Sequence, residues 1–386
     1  MEKRESKSIE KTASRSHRAA RWLPIMGLCL GSLGAPAWGQ SAEAEAQPAD
    51  TSFLTKVTFH GYLSQAYAFS DGNQILGIPK AGTLDYQTAA LQVRADITAA
   101  DSFAVQLSHE RNGLSPAQKV SPDVKLDWIF YEHQFGDSAI KVGRVKVPIG
   151  IYNEVRDVGT ILPFYRPARD FYGEGTYATE TVDGALVSHR FRLGGGWDLN
   201  GDVYYGNWSL FDSHQNEVKV SKSLGTQFFL DTPVSGLRFG VGALRFDASA
   251  NPTTPAAYWH DFHASVQATF GRVEGEVEYK DETAELLTGK TLYGIKTGYA
   301  RLGVHLTDKL MANAQFERFQ LAIAALKKPT DYDRDDILGL SYRFRAEVVL
   351  KAEYHWNEGY FLEPPPNILG PKAKTQYGIL SLSASF

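Results

Sequence analysis

From Val57 onward the chain alternates between apolar and polar positions. In KVTFHGYLSQAYAF, Val57, Phe59, Gly61, Leu63, Tyr67 and Phe69 fall on one face, and Thr58, His60, Tyr62 and Ser64 on the other. Further on, Ala89, Leu91, Val93, Ala95 and Ile97 oppose Gln92, Arg94 and Asp96. Val273, Gly275, Val277 and Tyr279 oppose Glu274, Glu276, Glu278 and Lys280, and Val348, Leu350, Ala352, Tyr354 and Trp356 oppose Glu347, Lys351, Glu353 and His355. A period of two belongs to strands, whose successive side chains point to opposite faces. Sixteen strands are predicted, over 57–69, 84–97, 103–111, 124–135, 139–147, 181–190, 197–207, 224–231, 236–246, 258–270, 272–280, 292–306, 309–319, 335–344, 346–357 and 375–386.

The connections alternate in length. Short ones fall at 98–102, 135–139, 192–196, 231–236, 271–272, 307–309 and 343–346. Long ones fall at 70–83, 112–123, 148–180, 208–223, 247–257, 281–291, 320–334 and 358–374, which leaves both strand-bearing ends on the short-turn side. A soluble sandwich would keep its two ends similar. An even strand count with short turns at one end and long loops at the other predicts an all-β fold, a transmembrane antiparallel barrel over residues 53–386. Lipid offers no hydrogen-bond partner, so such a sheet must close and leave no edge. Its apolar face meets lipid, its polar face a lumen, and about sixteen strands make that lumen wide enough for water. The last strand, YGILSLSASF, carries Gly378, Leu380, Leu382, Ala384 and Phe386 on one face. It is expected to pair with the first strand, closing the barrel with Phe386 in the inner aromatic girdle. It would also be what the barrel assembly machinery reads.

Composition narrows this picture. There are 21 Phe, 19 Tyr, 7 Trp and 35 Gly, the mean hydropathy is −0.28, and no apolar run is long enough to cross a bilayer as a helix. Residues 1–39 read as an export signal: a basic stretch with Lys3, Arg4, Lys7, Lys11, Arg15, Arg18 and Arg21, the apolar WLPIMGLCLGSL, then small residues. Cleavage is expected after Gly39, or else after Ala37. Residues 40–52 read as a flexible lead-in. The single cysteine, Cys29, lies inside the signal, with Leu28 before it, which argues against a lipoprotein cut. Residues 40–386 hold 33 Lys and Arg against 41 Asp and Glu, a net charge of −8, which speaks against a nucleic-acid surface.

The run GRVKVPIGIYNEVRD, residues 143–157, resembles the end of the fifth strand and start of the third outer loop in Gram-negative outer-membrane porins. The similarity is to the porin family that includes the phosphate-selective porins, through Gly143, Arg144, Lys146, Pro148, Gly150, Tyr152, Asn153 and Glu154. The resemblance implies a passive channel for small hydrophilic solutes in the outer membrane, a third loop folded into the lumen, contact with membrane lipid and lipopolysaccharide, and a homotrimer without cofactor or metal. Small residues at Gly61, Ala89, Ala95 and Gly143 would suit a wall shielded by neighbours. The chain departs from the phosphate-selective pattern in having no long ladder of inward arginines, so that selectivity is not carried over.

The third long loop is aromatic and charged, with Glu154, Arg156, Asp157, Arg166, Arg169, Asp170 and Glu174. A structureless loop of this length is usually functional, and these charges are candidates for the pore constriction. On the wall, alternation assigns Arg94, Arg144 and Lys146 inward near one side of the lumen, and Glu274, Glu276 and Glu278 inward near the other. Opposed walls of this kind would set a transverse field across the opening. The basic residues near the neck suggest a weak anion preference. Enzyme signatures are weak. The pairs in HER (109–111) and YEHQ (131–134) point to opposite strand faces, there is no H-E-x-x-H, G-x-S-x-G or P-loop, and His263 and Ser265 lie on a lumen face flanked by Asp261 and Gln267. The alternatives to a channel are a structural or adhesin barrel and, further off, a barrel enzyme.

Overall fold

The structure is a computed structural model and describes residues 56–119, 123–173, 180–212, 214–323, 329–363 and 367–386. The signal segment 1–39 with Cys29, the lead-in 40–52 and Glu174 lie outside the described residues. Sixteen strands follow one another around a closed barrel in chain order. They are β1 (Val57–Ser70), β2 (Thr83–Asp96), β3 (Asp101–Asn112), β4 (Lys125–Phe135), β5 (Ser138–Lys146), β6 (Thr181–Gly194), β7 (Trp197–Phe211) and β8 (Glu217–Asp231) in the first half. The second half holds β9 (Leu237–Ala248), β10 (Ala257–Phe270), β11 (Val273–Leu286), β12 (Thr291–His305), β13 (Leu310–Ile323), β14 (Thr330–Arg345), β15 (Val348–Gly359) and β16 (Ala373–Ser385). All neighbouring pairs are antiparallel.

Closure falls at β1 and β16. Gly61 and Phe386 exchange backbone hydrogen bonds of 3.1 and 3.0 Å. The Phe386 ring lies across Gly61, where an added Cβ would come within 2.6 Å of it, so a side chain at 61 would have to displace the ring. Phe386 is 73% exposed and joins Phe59, Phe103, Phe270 and Phe344 in an outward aromatic belt at the short-turn end. Tyr67, Tyr205, Tyr258 and Trp356 form a second belt towards the long-loop end, with Leu63, Leu91, Val241, Val277, Leu340 and Leu380 exposed between the two. Aromatic girdles flanking an aliphatic band are what a lipid-facing barrel surface requires.

The strand count agrees with the alternation, but five strands reach four or more residues further outward than the pattern predicts, β7 ending at Phe211 rather than 207 and β13 at Ile323 rather than 319. β8 begins at Glu217 rather than 224, β11 runs to Leu286 rather than 280, and β14 begins at Thr330 rather than 335. In β8 the cause is visible: Val218 and Val220 are buried while Glu217, Lys219 and Ser221 are exposed. There the apolar residues face inward, the reverse of the membrane band. A register shift between Ser221 and Leu224, with Lys222 at φ 53°, separates the two phases. The outer connections at 212–216, 287–290 and 324–329 are correspondingly short. The connection at 147–180 stays long.

Candidate functional site: a lumen narrowed by the third loop

The third loop runs into the barrel. From Lys146 it first reaches the far wall, where Gly150 N–H donates to Gln227 Oε1 of β8 and Ile151 N–H to Glu278 Oε1 of β11, both at 3.0 Å. It returns along β14–β16: Thr160 Oγ1 donates to Ser385 Oγ at 3.1 Å, Lys351 Nζ to the Phe164 carbonyl at 2.7 Å, and Tyr165 N–H to Glu353 Oε2 at 2.8 Å. A one-turn helix, α1 (Arg169–Tyr172), then docks on β11–β14. Arg169 pairs with Asp333, Asp170 N–H donates to Glu317 Oε2 at 3.0 Å, and Thr297 Oγ1 donates to the Asp170 carbonyl at 2.7 Å. Tyr172 donates to Glu278. Phe171 is fully buried, its ring 6.1 Å from Tyr299 and 6.4 Å from His263. Arg156 knots the loop, donating to Asn153 Oδ1 and to the carbonyls of Tyr172 and Gly173 at 2.8–3.2 Å. The loop therefore touches the lumenal wall from β8 to β16.

An opening lies on the side of β1–β3. Of about 510 Å³, counting space continuous with solvent, it is lined on the wall by Ser64, Thr88, Glu110 and Asn112. On the loop side it is lined by Arg156, Asp157, Tyr165, Arg166, Pro167, Gly173 and Glu180. Its charges are cross-linked. Lys146 Nζ is 3.0 Å from Asp157, 3.7 Å from Asp127 and 3.9 Å from Glu180. Lys125 stands 3.8 Å from Glu110, and Arg156 Nε 3.7 Å from Glu180. Burial works against the Asp157 carboxylate, but Lys146, Arg156 and Lys125 outweigh it and hold its pKa below the usual range. Arg166 donates to the Tyr86 hydroxyl and stacks on the Tyr86 and Tyr165 rings, its guanidinium 5.0 and 5.6 Å from their centres. Among the described residues, four cations and four carboxylates surround the opening: Lys125, Lys146, Arg156 and Arg166 with Glu110, Asp127, Asp157 and Glu180.

The sequence-predicted residues divide by place. Arg156, Asp157 and Arg166 line the opening and Lys146 braces it. Half-buried Arg169 and buried Asp170 stand at the far wall, anchoring α1. Glu276 and Glu278 face inward but lie under the loop, accepting from Tyr152 Oη at 2.6 Å and from Tyr172, while Glu274 meets Arg301 at 3.1 Å and His305 at 2.8 Å. Glu154 is exposed. Arg94 pairs with Asp96 at 2.9 Å and Glu132 at 3.2 Å.

Two orientations differ from expectation. Arg144 faces outward and Gly143 inward. The register sets Arg144 beside Ile129 and Asp183, on the face that Asp183 shares with the lipid-exposed Val187. Its guanidinium is 2.7 Å from Asp183, two residues from the outer end of β5, where a paired charge is tolerated because the cost of charge on the lipid face falls away near the interface. The opposed basic and acidic walls do not form either, because Arg94 and Lys146 are each countered by carboxylates and the β11 glutamates by Arg301 and tyrosines.

Sequence reasoning missed Ser64, Thr88, Glu110 and Asn112. Glu110 and Asn112 continue the inward series Gln106, Ser108 of β3, so the signal was the alternation itself, carried to the strand's outer end. His263 and Ser265 form no nucleophile pair: Ser265 Oγ donates to Glu278 at 2.5 Å, and His263 bonds Asp261 and Gln227, each at 2.7 Å.

No family model and no curated protein matches the chain. Solved structures do match by fold. The outer-membrane channel DcaP of Acinetobacter baumannii superposes with a TM-score of 0.60 at 8% identity, covering 86% of this chain and 97% of that one. The trimer form of OmpT, an outer-membrane protein of Vibrio cholerae, gives 0.57 at 13% identity, covering 86% and 99%. An anion-selective porin from Comamonas acidovorans gives 0.55 at 12% identity, covering 86% and 99%. The chain thus has the closed sixteen-strand fold of outer-membrane porins and channels.

Proposed function

We propose that this chain is an outer-membrane diffusion channel, through which small hydrophilic solutes and ions pass between the third loop and the β1–β3 wall. The observation that carries the reading is the opening itself, with polar side chains on the wall and charges of both signs around it. Fixed charges of both signs let dipolar solutes exchange hydration for wall contacts and penalise apolar ones. No energy coupling or cofactor is needed for such passage. Four cations against four carboxylates make ion selectivity weak, and the lean to anions rests on Arg156 and Arg166 on the loop side. One structural neighbour is itself described as anion-selective.

In the same reading residues 1–39 direct export and are removed after Gly39 or Ala37. The β16 strand ending in Phe386 serves the barrel assembly machinery, and the outer rim meets lipopolysaccharide. Three barrels associate, as in the trimer form of the Vibrio protein. β3, β4 and β5 have 12, 11 and 9 residues against 14 to 16 in β10–β14, which makes the wall beside the opening the low one and the natural side for a neighbour.

The test is conductance of the refolded chain in a planar bilayer under a salt gradient. Stepwise openings with a small anion-side reversal potential, moved towards cations by Arg166→Ala, are expected. Absence of steps would favour a structural barrel. A cation-selective channel indifferent to Arg156→Ala and Arg166→Ala would remove these arginines from the path.

A further inference from the structure

The lumenal wall carries a row of aromatic rings that neither the loop anchoring nor the opening uses. Trp259 of β10 is in register with Phe246 of β9 on one side and Ala284 of β11 on the other, and Ala284 with Tyr293 of β12. Their faces are set by alternation: Tyr258 and Phe262 are exposed outward, whereas Trp259 shares its face with Asp261 and the buried His263. Ala284 supplies no bulk, so the Trp259 and Tyr293 rings meet over it at 5.1 Å. Phe246 and Trp259 stack at 5.5 Å and 14°, and Trp208 of β7 joins Phe246 at 5.1 Å. All four rings lie at the long-loop ends of their strands. Trp208, Trp259 and Tyr293 keep part of their surface exposed, and on this face that surface meets the lumen.

A lumenal wall is ordinarily polar, and contiguous exposed apolar surface usually marks a contact site. Two residues inward along the same strands lies a polar row, Asp261 directly opposite Glu282. His263 bonds Asp261 at 2.7 Å and Lys280 meets Glu282 at 2.5 Å. Both carboxylates keep acceptor capacity, and Lys280 is already engaged by Glu282. A second ring cluster, Phe319, Tyr332 and Phe361, differs: Arg169 covers Phe361 at 4.7 Å, so it belongs to the loop anchor.

From these observations we propose that the Trp208–Phe246–Trp259–Tyr293 row is a binding site for a neutral oligosaccharide entering from the long-loop side. Sugar rings present flat C–H faces for aromatic stacking and hydroxyls for Asp261, Glu282 and Lys280. A bare anion or cation would find its counter-charges already paired. With successive ring centres 5.1, 5.5 and 5.1 Å apart, the row exceeds one sugar ring and suits a short chain of them. The proposal rests on the channel reading, because it needs an open lumen.

The test uses maltohexaose and cellohexaose as probes, added to either side of single channels in a planar bilayer, with tryptophan fluorescence of the detergent-solubilised barrel followed in parallel. Barrel folding of each variant is checked by faster gel migration before heating. Concentration-dependent interruptions of the current by either sugar are expected. They should shorten about tenfold in Trp259→Ala with Tyr293→Ala, the factor for losing two ring contacts of about 0.7 kcal/mol each, and persist in Trp356→Ala on the outer face. A non-conducting barrel whose fluorescence still responds to sugar through Trp259 would keep the site and sink the channel. A conducting channel with no interruption and no fluorescence change, or with interruptions unmoved by the double substitution, would overturn the site and leave the channel standing.

Discussion

Asp170 shows how single residues hold the constriction. It is buried against β12 and β13 with Arg169, Glu317, Asp333 and Asp335 around it. Burial pushes its carboxyl up to about 7. A carboxyl raised in the docked loop favours docking when protonated. Its contribution is therefore full below the free value of about 4 and is lost as pH rises through about 7. Current fluctuations from loop movement should accordingly be rarer at pH 5 than at pH 8, and Asp170→Asn should flatten the difference. A wild-type channel equally quiet at both values would contradict this.

Arg144 and Lys146 make the complementary point. They share a phase by simple alternation, yet Arg144 pairs outside with Asp183 while Lys146 reaches Asp157 and Glu180 inside. In SAIKVGRVK basic residues occupy both phases, since Lys141 stands on one and Arg144 and Lys146 on the other. Period alone could not say which faced water. Lys146→Ala is expected to move the reversal potential towards cations, and Arg144→Ala to leave it in place. Screening over a Debye length of about 8 Å at physiological salt confines the effect to charges at the neck. Equal shifts from the two would mean that Arg144 is not outside.

At the scale of elements, the third loop was legible in length and composition, but not in where it would dock. Its anchors are Gln227, Glu278, Glu317, Asp333 and Glu353, spread over five strands. Only closure of the barrel brings these together. The outer ends of β8 and β14 were illegible for other reasons: in β8 the apolar face turns inward above the membrane, so the signal inverts, and β14 begins on Thr-Asp-Tyr-Asp-Arg-Asp, where its inward Asp333 and Asp335 are as polar as the outward Asp331 and Arg334. Docking depends most on Phe171, fully buried among Tyr172, Tyr299 and His263. Phe171→Ala should cost about 3–5 kcal/mol of packing, free α1 and expose the bond after Arg169 to trypsin. A loop as resistant as wild type would show that the hydrogen bonds alone hold it.

For the whole molecule, the strand number, their order and the inward and outward faces were largely readable, because lipid on one side and water on the other impose opposite demands on alternate residues. The position of the opening was not, since it depends on where the loop docks. That opening is the central claim. The sole cysteine, Cys29, lies in the segment read as the export signal, so thiols can be placed singly in a chain produced without it. Thr88→Cys and Asn112→Cys would stand on the open side, and Gln315→Cys on the inward face of β13, where the loop docks. Single-channel current is then followed while a charged methanethiosulfonate is added. Stepwise loss of conductance at positions 88 and 112, with none at 315, is the predicted result. An unmodifiable Thr88 and Asn112 beside a reactive, conductance-reducing Gln315 would place the path on the opposite wall and contradict the account.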